Sequence, residues 1–260
     1  MYTGAFQRYS AHVFGIEIEY ARAWTARGRA TGLAQSVGES LPFADQTFEV
    51  VFSHEVLEHV RDDRKCFREM VRVTRPGGKI VLFVPNRLYP FETHGIYWRG
   101  TYRFGNIALV NWLPDKLRDR LAPHVRAYTR RALHTLFAEV PVKVLVHTRI
   151  FPGYDNIVAR NKAVGRLLQS VTYAMEHTPL RCFALSHFVV LERLAETPKG
   201  VRSLQVPSVR SSRGPTASWS RSATSTMFVG CCRLRLLLLL PIRARSGLSM
   251  YRAWASHSSL

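Results

Sequence analysis

Two short apolar runs flanking one amphipathic segment constrain the fold of this 260-residue chain most strongly. Phe48–Phe52 is β-branched and aromatic, and Lys79–Val84 is apolar almost throughout, so both predict buried strands. Between them, Val56–Val73 places apolar residues at helical spacing and is followed by a Pro-Gly-Gly breaker. This order of strand, helix and strand predicts parallel pairing, because the crossover must return along the length of the sheet.

The flanking sequence continues the same alternation. Further strands are predicted at Val13–Ile18, Val142–Ile150 and Phe183–Leu191, and further helices at Ala21–Arg29, Leu113–Leu121, Thr129–Glu139 and Lys162–Met175. The aromatic and glycine-rich stretch Arg87–Asn111 has no period, which is typical of a lid or a binding insertion. We therefore predict an α/β domain over residues 1–195, a Rossmann-like three-layer sandwich with a mostly parallel sheet.

Residues 196–260 differ in composition from the predicted domain. Residues 201–260 contain nine arginines and no acidic residue, so this segment carries a large part of the net charge of +19. It shows no apolar period that would offset the entropy of ordering, which predicts a basic, low-complexity and disordered tail. A shifted reading frame would also produce such an end, so both a natural and a frame-shifted tail are open interpretations.

The four cysteines and the apolar runs indicate in which cellular compartment the protein is expected. The cysteines form no C-x-x-C pair and no metal-ligand spacing with histidine, which predicts a reduced, cytoplasmic protein. The longest apolar run, Leu236–Leu240, is far shorter than the ~20 residues of a membrane span, and no leader-peptide pattern is present. The basic charge keeps nucleic-acid binding as a hypothesis, but without a recognisable motif we expect no specific nucleic-acid partner.

Three segments, taken in order, resemble a known family. They are VFGIEIE at 13–19, GESLPFADQTFEVVFSHEVLEHV at 38–60 and VRVTRPGGKIVLFVPN at 71–86. Together they resemble the class I S-adenosylmethionine-dependent methyltransferases that act on small molecules, over Val13–Leu194. The resemblance implies S-adenosylmethionine as the cofactor and a small-molecule oxygen, nitrogen or carbon nucleophile as the methyl acceptor, with in-line displacement at the methyl carbon.

The resemblance also implies a set of cofactor-binding residues at the carboxyl ends of the strands. Glu17 would bind the ribose, although in isolation it also fits a solvated turn residue. The other implied cofactor contacts are Ile18 against the adenine, Val37, Gly38 and Glu39 along the adenine edge, and Ser53 and His54 at the methionine end. Many relatives have an aspartate where this chain has Val37.

The family has a first strand and a glycine-rich loop before the region that begins at Val13. Here only residues 3–6 are similar to the end of that loop, which makes Gly4 the candidate cofactor contact. We expect the central first strand to be missing and a sheet edge to be open. A non-catalytic methyltransferase fragment is therefore the alternative hypothesis.

His59, His94 and Tyr97 are the candidate catalytic residues on the acceptor side. His94 or Tyr97 could remove a proton from the acceptor, or both could pack a lid onto the core. Glu55, Glu58 and His59 stand at helical spacing, and similar stretches in some methyltransferases bind a divalent cation with a further histidine, here His94. Glutamates that complement a helix dipole explain the same stretch, so we expect no metal.

Overall fold

The computed structural model describes residues 6–7, 10–26, 28, 30–195 and 225–230, and Gly4 lies outside them. The described strands are β1 (His12–Glu17), β2 (Gly32–Gln35), β3 (Phe48–His54), β4 (Thr74–Pro85), β5 (Phe91–Glu92), β6 (Ile96–Trp98), β7 (Thr101–Arg103), β8 (Ile107–Ala108), β9 (Val142–Ile150), β10 (Ser186–Arg193) and β11 (Ser225–Gly230). The described α-helices are α1 (Tyr20–Ala26), α2 (Asp63–Val73), α3 (Asp115–Leu121), α4 (Arg130–Ala138), α5 (Asp155–Arg160) and α6 (Lys162–Met175). Two 3₁₀ helices span Val110–Trp112 and Pro179–Phe183.

Seven strands form the main sheet, in the order β2-β1-β11-β3-β4-β10-β9. The pairs from β2 through to β4 are parallel, and β10 runs antiparallel to both β4 and β9. The predicted α/β architecture with a mostly parallel sheet is confirmed. The carboxyl ends of five parallel strands therefore meet at one edge, where ligands bind in folds of this kind.

The position of the expected missing strand is occupied by β11. This strand pairs in parallel with β1, where Ile16 lies opposite Val229, and with β3, where His54 lies opposite Gly230. The expectation of an open edge between β1 and β3 is thus wrong, because β11 satisfies backbone groups that would otherwise be unpaired. Of the predicted disordered tail, 196–260, the structure describes only this strand; the other residues lie outside the described part.

The sheet buries apolar side chains on both faces. On β4, Ile80 and Leu82 belong to one core cluster, and Val81 and Phe83 belong to the other, as the alternation of a strand requires. The first cluster is covered by α2 and α4. None of the helices in the described part of the chain has the length and apolar content that a bilayer span requires.

Local capping decides where the predicted helix after β3 begins. It was predicted from Val56, but α2 starts at Asp63, because the Asp62 carboxylate accepts a hydrogen bond from the Lys65 backbone N–H at 2.9 Å. The residues before Asp62 form turns instead. Thr129, the first residue of the helix predicted at Thr129–Glu139, is the N-cap of α4 and accepts from the Ala132 N–H at 3.1 Å. The insertion after β4 forms two small antiparallel pairs, β5 with β8 and β6 with β7.

Candidate functional site

Four of the five strand ends at the carboxyl edge of the parallel strands are central to the candidate site. Glu17 ends β1, His54 ends β3, Pro85 ends β4 and Gly230 ends β11. His54 lies in register with both Phe83 of β4 and Gly230 of β11. The sequence analysis placed Glu17 and His54 at strand ends, but it did not place Gly230 here, because β11 is far away in the chain.

Glu17 sits at this edge beside two exposed apolar side chains. Its Oε1 accepts a hydrogen bond from the Ile18 N–H at 3.0 Å, and its carbonyl oxygen accepts from the Ser36 N–H at 3.0 Å. Ile18 is 53% exposed and Val37 is 47% exposed. A carboxylate flanked by exposed apolar surface offers both a polar and a flat apolar contact to a ligand.

Gly38 and Glu39 pack against the start of α2 and the turn before it. The Glu39 Oε1 accepts hydrogen bonds from the N–H groups of Arg61 at 2.8 Å and Asp62 at 3.3 Å. A Cβ at Gly38 would lie 2.6 Å from the Cys66 Sγ, so only glycine lets this loop approach α2 so closely. Both residues therefore hold the loop against the start of α2.

Arg72 holds the Leu-Pro-Phe loop that follows. Its guanidinium donates to the carbonyl oxygens of Leu41 and Phe43 and to the carboxylates of Asp45 and Glu69, at 2.7 to 3.0 Å. Glu69 also accepts from the Leu41 N–H at 2.8 Å. The helical spacing of Glu69 and Arg72 was visible in the sequence, but their reach across to the loop was not.

Ser53 and His54 are both buried at the end of β3. Ser53 is 0% exposed, and its Oγ makes no hydrogen bond within the described part of the chain. The ring of His54 lies 5.0 Å from that of Phe83 and stacks on Phe52 at 6.2 Å. Burial lowers the pKa of His54 to about 4, so this imidazole is neutral near neutral pH.

The three candidate acceptor-side residues come together around His124. The rings of His59 and His94 lie 5.0 Å apart, and the His59 Nδ1 is 3.3 Å from the His124 carbonyl oxygen. The His124 ring lies 5.7 Å from the ring of Tyr97 and 5.6 Å from that of Tyr102. His124 itself was missed by the sequence analysis, since it sits in a turn with no motif of its own.

The His94 ring is hydrogen-bonded to a carboxylate that belongs to a buried ion pair. The Arg118 guanidinium donates to the Glu92 Oε2 at 3.0 Å, and each of the two side chains is 3% exposed. The other oxygen, Oε1, is 3.1 Å from the His94 Nδ1. Burial favours a higher pKa for Glu92, but the hydrogen bonds from His94 and the charge of Arg118 lower that pKa overall.

Two further carboxyl groups lie on the same side. Burial raises the pKa of both Glu55 and Glu58, and their mutual repulsion raises the pKa of Glu58 further. Glu58, His59 and His94 also present ligand atoms within 4.8 Å of one another, so they form the cluster in the described residues that could hold a metal. A cleft of about 450 Å³ opens beside it, lined by Glu58, His59, Arg61, Asp119, His124 and Arg126 among others.

Sequence comparisons show that the chain is similar to methyltransferases. A family profile described as a methyltransferase domain matches residues 1–82. The chain is 34% identical over 164 residues to the uncharacterized protein YafE of Escherichia coli strain K12, covering 62% of this chain and 70% of that protein. It is 35% identical over 109 residues to an uncharacterized methyltransferase of Mycolicibacterium gilvum, covering 39% of this chain and 43% of that protein.

Other similarities are shorter or lie in structure alone. The norajmaline N-methyltransferase of Rauvolfia serpentina is 37% identical over 84 residues, which are 29% of each chain. The chain spans less than half the length of the mycobacterial relatives that it matches. A crystal structure of an S-adenosylmethionine-dependent methyltransferase from Mesorhizobium loti superposes with a TM-score of 0.47 at 15% identity, over 70% of this chain and 80% of that one.

Proposed function

We propose, since this chain belongs to the class I S-adenosylmethionine-dependent methyltransferases, that it transfers a methyl group from that cofactor to a small-molecule nucleophile. The observation that carries the proposal is the meeting of two groups of residues at one sheet edge. Glu17, Ser53 and His54 lie at the strand ends. His59, which follows β3 by five residues, lines the cleft, and the ring of His94 lies 5.0 Å from it. A cofactor and an acceptor could thus lie side by side.

The residues of the edge fit the cofactor in two respects. The buried Ser53 Oγ makes no hydrogen bond within the described residues, so it can bind a polar group of the methionine part. Glu17 can accept hydrogen bonds from the ribose hydroxyls, and the exposed side chains of Ile18 and Val37 can cover the adenine. S-adenosylmethionine, when bound, supplies an electrophilic methyl group on a sulfonium.

The acceptor-side residues would position the nucleophile and take its proton. His59 donates through Nδ1 to the His124 carbonyl oxygen, which leaves its Nε2 as a proton acceptor. Burial, followed by the neighbouring His94, lowers the pKa of His59, so the ring is neutral and ready to accept a proton near neutral pH. The half-exposed Tyr97 borders the same space through His124 and would contact the acceptor.

The size of the cleft favours a small acceptor. A volume of about 450 Å³ lies within the range of small-molecule sites. We propose a small molecule, and not a specific nucleic acid, as the substrate. We also propose a cytoplasmic location, which fits the free thiols of Cys66 and Cys182.

Calorimetric titration of the chain with S-adenosylhomocysteine, the demethylated cofactor, tests the proposal. Saturable one-to-one binding would support a working cofactor site. A folded sample with no binding would contradict it and favour the alternative of a non-catalytic fragment.

Glu17→Ala is the matching substitution. Loss of the hydrogen bonds between a carboxylate and the ribose is expected to weaken binding by about 10- to 100-fold, because hydrogen bonds to a charged group contribute about 1.5–3 kcal/mol. Glu49→Ala is the control, since Glu49 pairs with Arg75 at the opposite end of β3 and should leave binding unchanged. Equal affinities of Glu17→Ala and the parent would remove Glu17 from the cofactor site.

A further inference from the structure

The cluster of Glu58, His59 and His94 has the composition and the geometry of a metal site. Their ligand atoms lie within 4.8 Å of one another. Glu58 and His59 follow β3, whereas His94 comes from the insertion after β4, so the fold brings together two distant segments. Glu58 and His59 are not neighbours on a helix, because the residues before Asp62 form turns and α2 starts only at Asp63.

The carboxylate of Glu58 has no partner that would explain its burial. Glu58 is 1% exposed, and neither of its oxygens makes a hydrogen bond within the described part of the chain. The Nε2 of His59 is 4.0 Å from Oε1, too far for a hydrogen bond. Buried carboxyl groups are normally hydrogen-bonded, paired with a cation or bound to a metal, so these two oxygens are available to a ligand.

Both histidines have one ring nitrogen held by an acceptor and the other free to bind. The His59 Nδ1 lies 3.3 Å from a carbonyl oxygen, which can only accept, so Nδ1 carries the proton and Nε2 keeps its lone pair. The His94 Nδ1 donates in the same way to the Glu92 carboxylate at 3.1 Å, and that carboxylate is fixed by Arg118. Imidazoles that bind metals are usually oriented by such outer hydrogen bonds.

An ion can reach the cluster from solvent. The His59 side chain is 30% exposed and the cleft of about 450 Å³ opens beside it, so an ion and further ligands can enter.

We propose that Glu58, His59 and His94 bind one divalent cation of the zinc or manganese type, with its remaining coordination positions open to the cleft. Two imidazoles and one carboxylate suit such ions better than calcium or magnesium, which take mostly oxygen ligands. This assignment reverses the expectation from the sequence that the stretch holds no metal. A further step rests on the proposed function and replaces the proton transfer to the His59 Nε2, which the ion would occupy: an acceptor hydroxyl bound to the ion would have its pKa lowered and would lose its proton to water beside the methyl donor.

The test is a calorimetric titration of the chelator-treated chain with zinc, manganese and magnesium chloride, with no cofactor present. We expect one saturable site for zinc and manganese and at least a tenfold weaker interaction with magnesium. Glu58→Gln keeps the shape of the side chain and removes its charge, and His94→Ala removes a ligand. Each substitution should weaken zinc binding by at least tenfold.

Two controls are matched by residue type. Glu139→Gln alters a surface carboxylate that pairs with Arg68, and His177→Ala alters an exposed histidine, so both should bind zinc like the parent. Because Glu58→Gln removes a buried charge, its metal-free melting temperature should equal or exceed that of the parent, which separates loss of the site from loss of the fold. If Glu58→Gln has a lower melting temperature than the parent, the zinc affinity of His94→Ala tests the site instead.

Cobalt gives a second readout, because its visible absorption bands report the ligand set. They should appear with the parent and change with His94→Ala. A folded parent that binds no zinc, or variants that bind it like the parent, would overturn the proposal. Zinc binding without S-adenosylhomocysteine binding would keep the metal site and remove the proposed function, and the converse result would do the opposite.

Discussion

The two halves of the main sheet are built from the chain in different ways. The half formed by β3, β4, β10 and β9 comes from residues 48–193. The half formed by β2, β1 and β11 combines the start of the chain with residues 225–230. The first half contains β9 and β10, which were predicted as strands and pair antiparallel. The second half has a central strand supplied from about 200 residues further along the chain.

The two halves also differ in how much strand pairing and apolar burial stabilise them. In the half containing β4, neighbouring strands share long registers, and Leu82 and Val189 are fully buried. In the other half, β2 is a four-residue strand with no fully buried residue. The proposed cofactor edge spans the junction, because Glu17 belongs to one half and His54 to the other. The geometry of the site therefore depends on β11, which lies between them.

The largest effect is expected from removing β11. Deletion of residues 196–260 would leave the facing edges of β1 and β3 without their shared partner and expose their backbone groups. We expect the shortened chain to lose its cooperative thermal transition or to aggregate, as measured by circular dichroism and light scattering. A shortened chain that unfolds like the parent would show that the two halves hold together without β11.

A proline within β11 tests whether the backbone pairing of this strand holds the two halves together. Met227→Pro removes one backbone donor from the centre of the strand and should cost about 3 kcal/mol, as proline does inside regular elements. Met227→Ala is the control, since it keeps the backbone donor. Unfolding in urea measures both. Equal losses in the two variants would assign the effect to the side chain and not to the pairing.

A cavity in the half containing β4 should have the next largest effect. Leu82 is 0% exposed in the larger core cluster, so Leu82→Ala should lower the free energy of unfolding by about 2–5 kcal/mol. Leu33→Ala in β2 removes the same atoms from a partly exposed position and should cost less than about half of that. Urea denaturation measures both, and equal costs would contradict the asymmetry of the halves.

Much of the half containing β4 could be predicted because its signals are local. β9 and α6 have their predicted bounds, and α4 lies within its predicted bounds, with Thr129 as its N-cap. β11 could not be predicted, because strand pairing across a long separation leaves no local period in the sequence. The short β2 was also missed, since its four residues contain glycine and alanine and lack the β-branched run that marks a strand.

The site was predictable where a motif sets a position, and not where the contacts come from distant turns. His59 and His94 do lie side by side, and Glu17 ends its strand as the resemblance implied. The partners that orient the histidines, which are His124, Glu92 and Arg118, have no signature of their own. Only the folded insertion brings these residues to the end of β3, so no local pattern in the sequence indicates that they orient the two histidines.

The smallest of the expected effects concerns acid and a row of three histidines in the half containing β4. His187 donates through Nε2 to the Tyr128 carbonyl oxygen at 3.0 Å, so its Nδ1 accepts from the His147 Nε2, also at 3.0 Å. The His147 Nδ1 lies 3.2 Å from the His134 Nε2. Burial lowers the pKa of His147 to about 4, helped by the charges of Arg130 and Arg149, and burial with His147 lowers that of His187 to about 3.

Both pKa values lie below the ordinary value near 6.5, so the unfolded chain binds protons that the folded chain does not. The stabilising contribution is therefore complete above about pH 6.5 and falls as the pH drops toward 4. His187→Gln should flatten the dependence of unfolding free energy on pH by up to about 1.4 kcal/mol per pH unit in this window. His177→Gln, at an exposed position after α6, is the control. If the slope of His187→Gln matched that of the parent, the histidine row would not weaken this half of the sheet in acid, and its loss of stability would have to come from carboxylates instead.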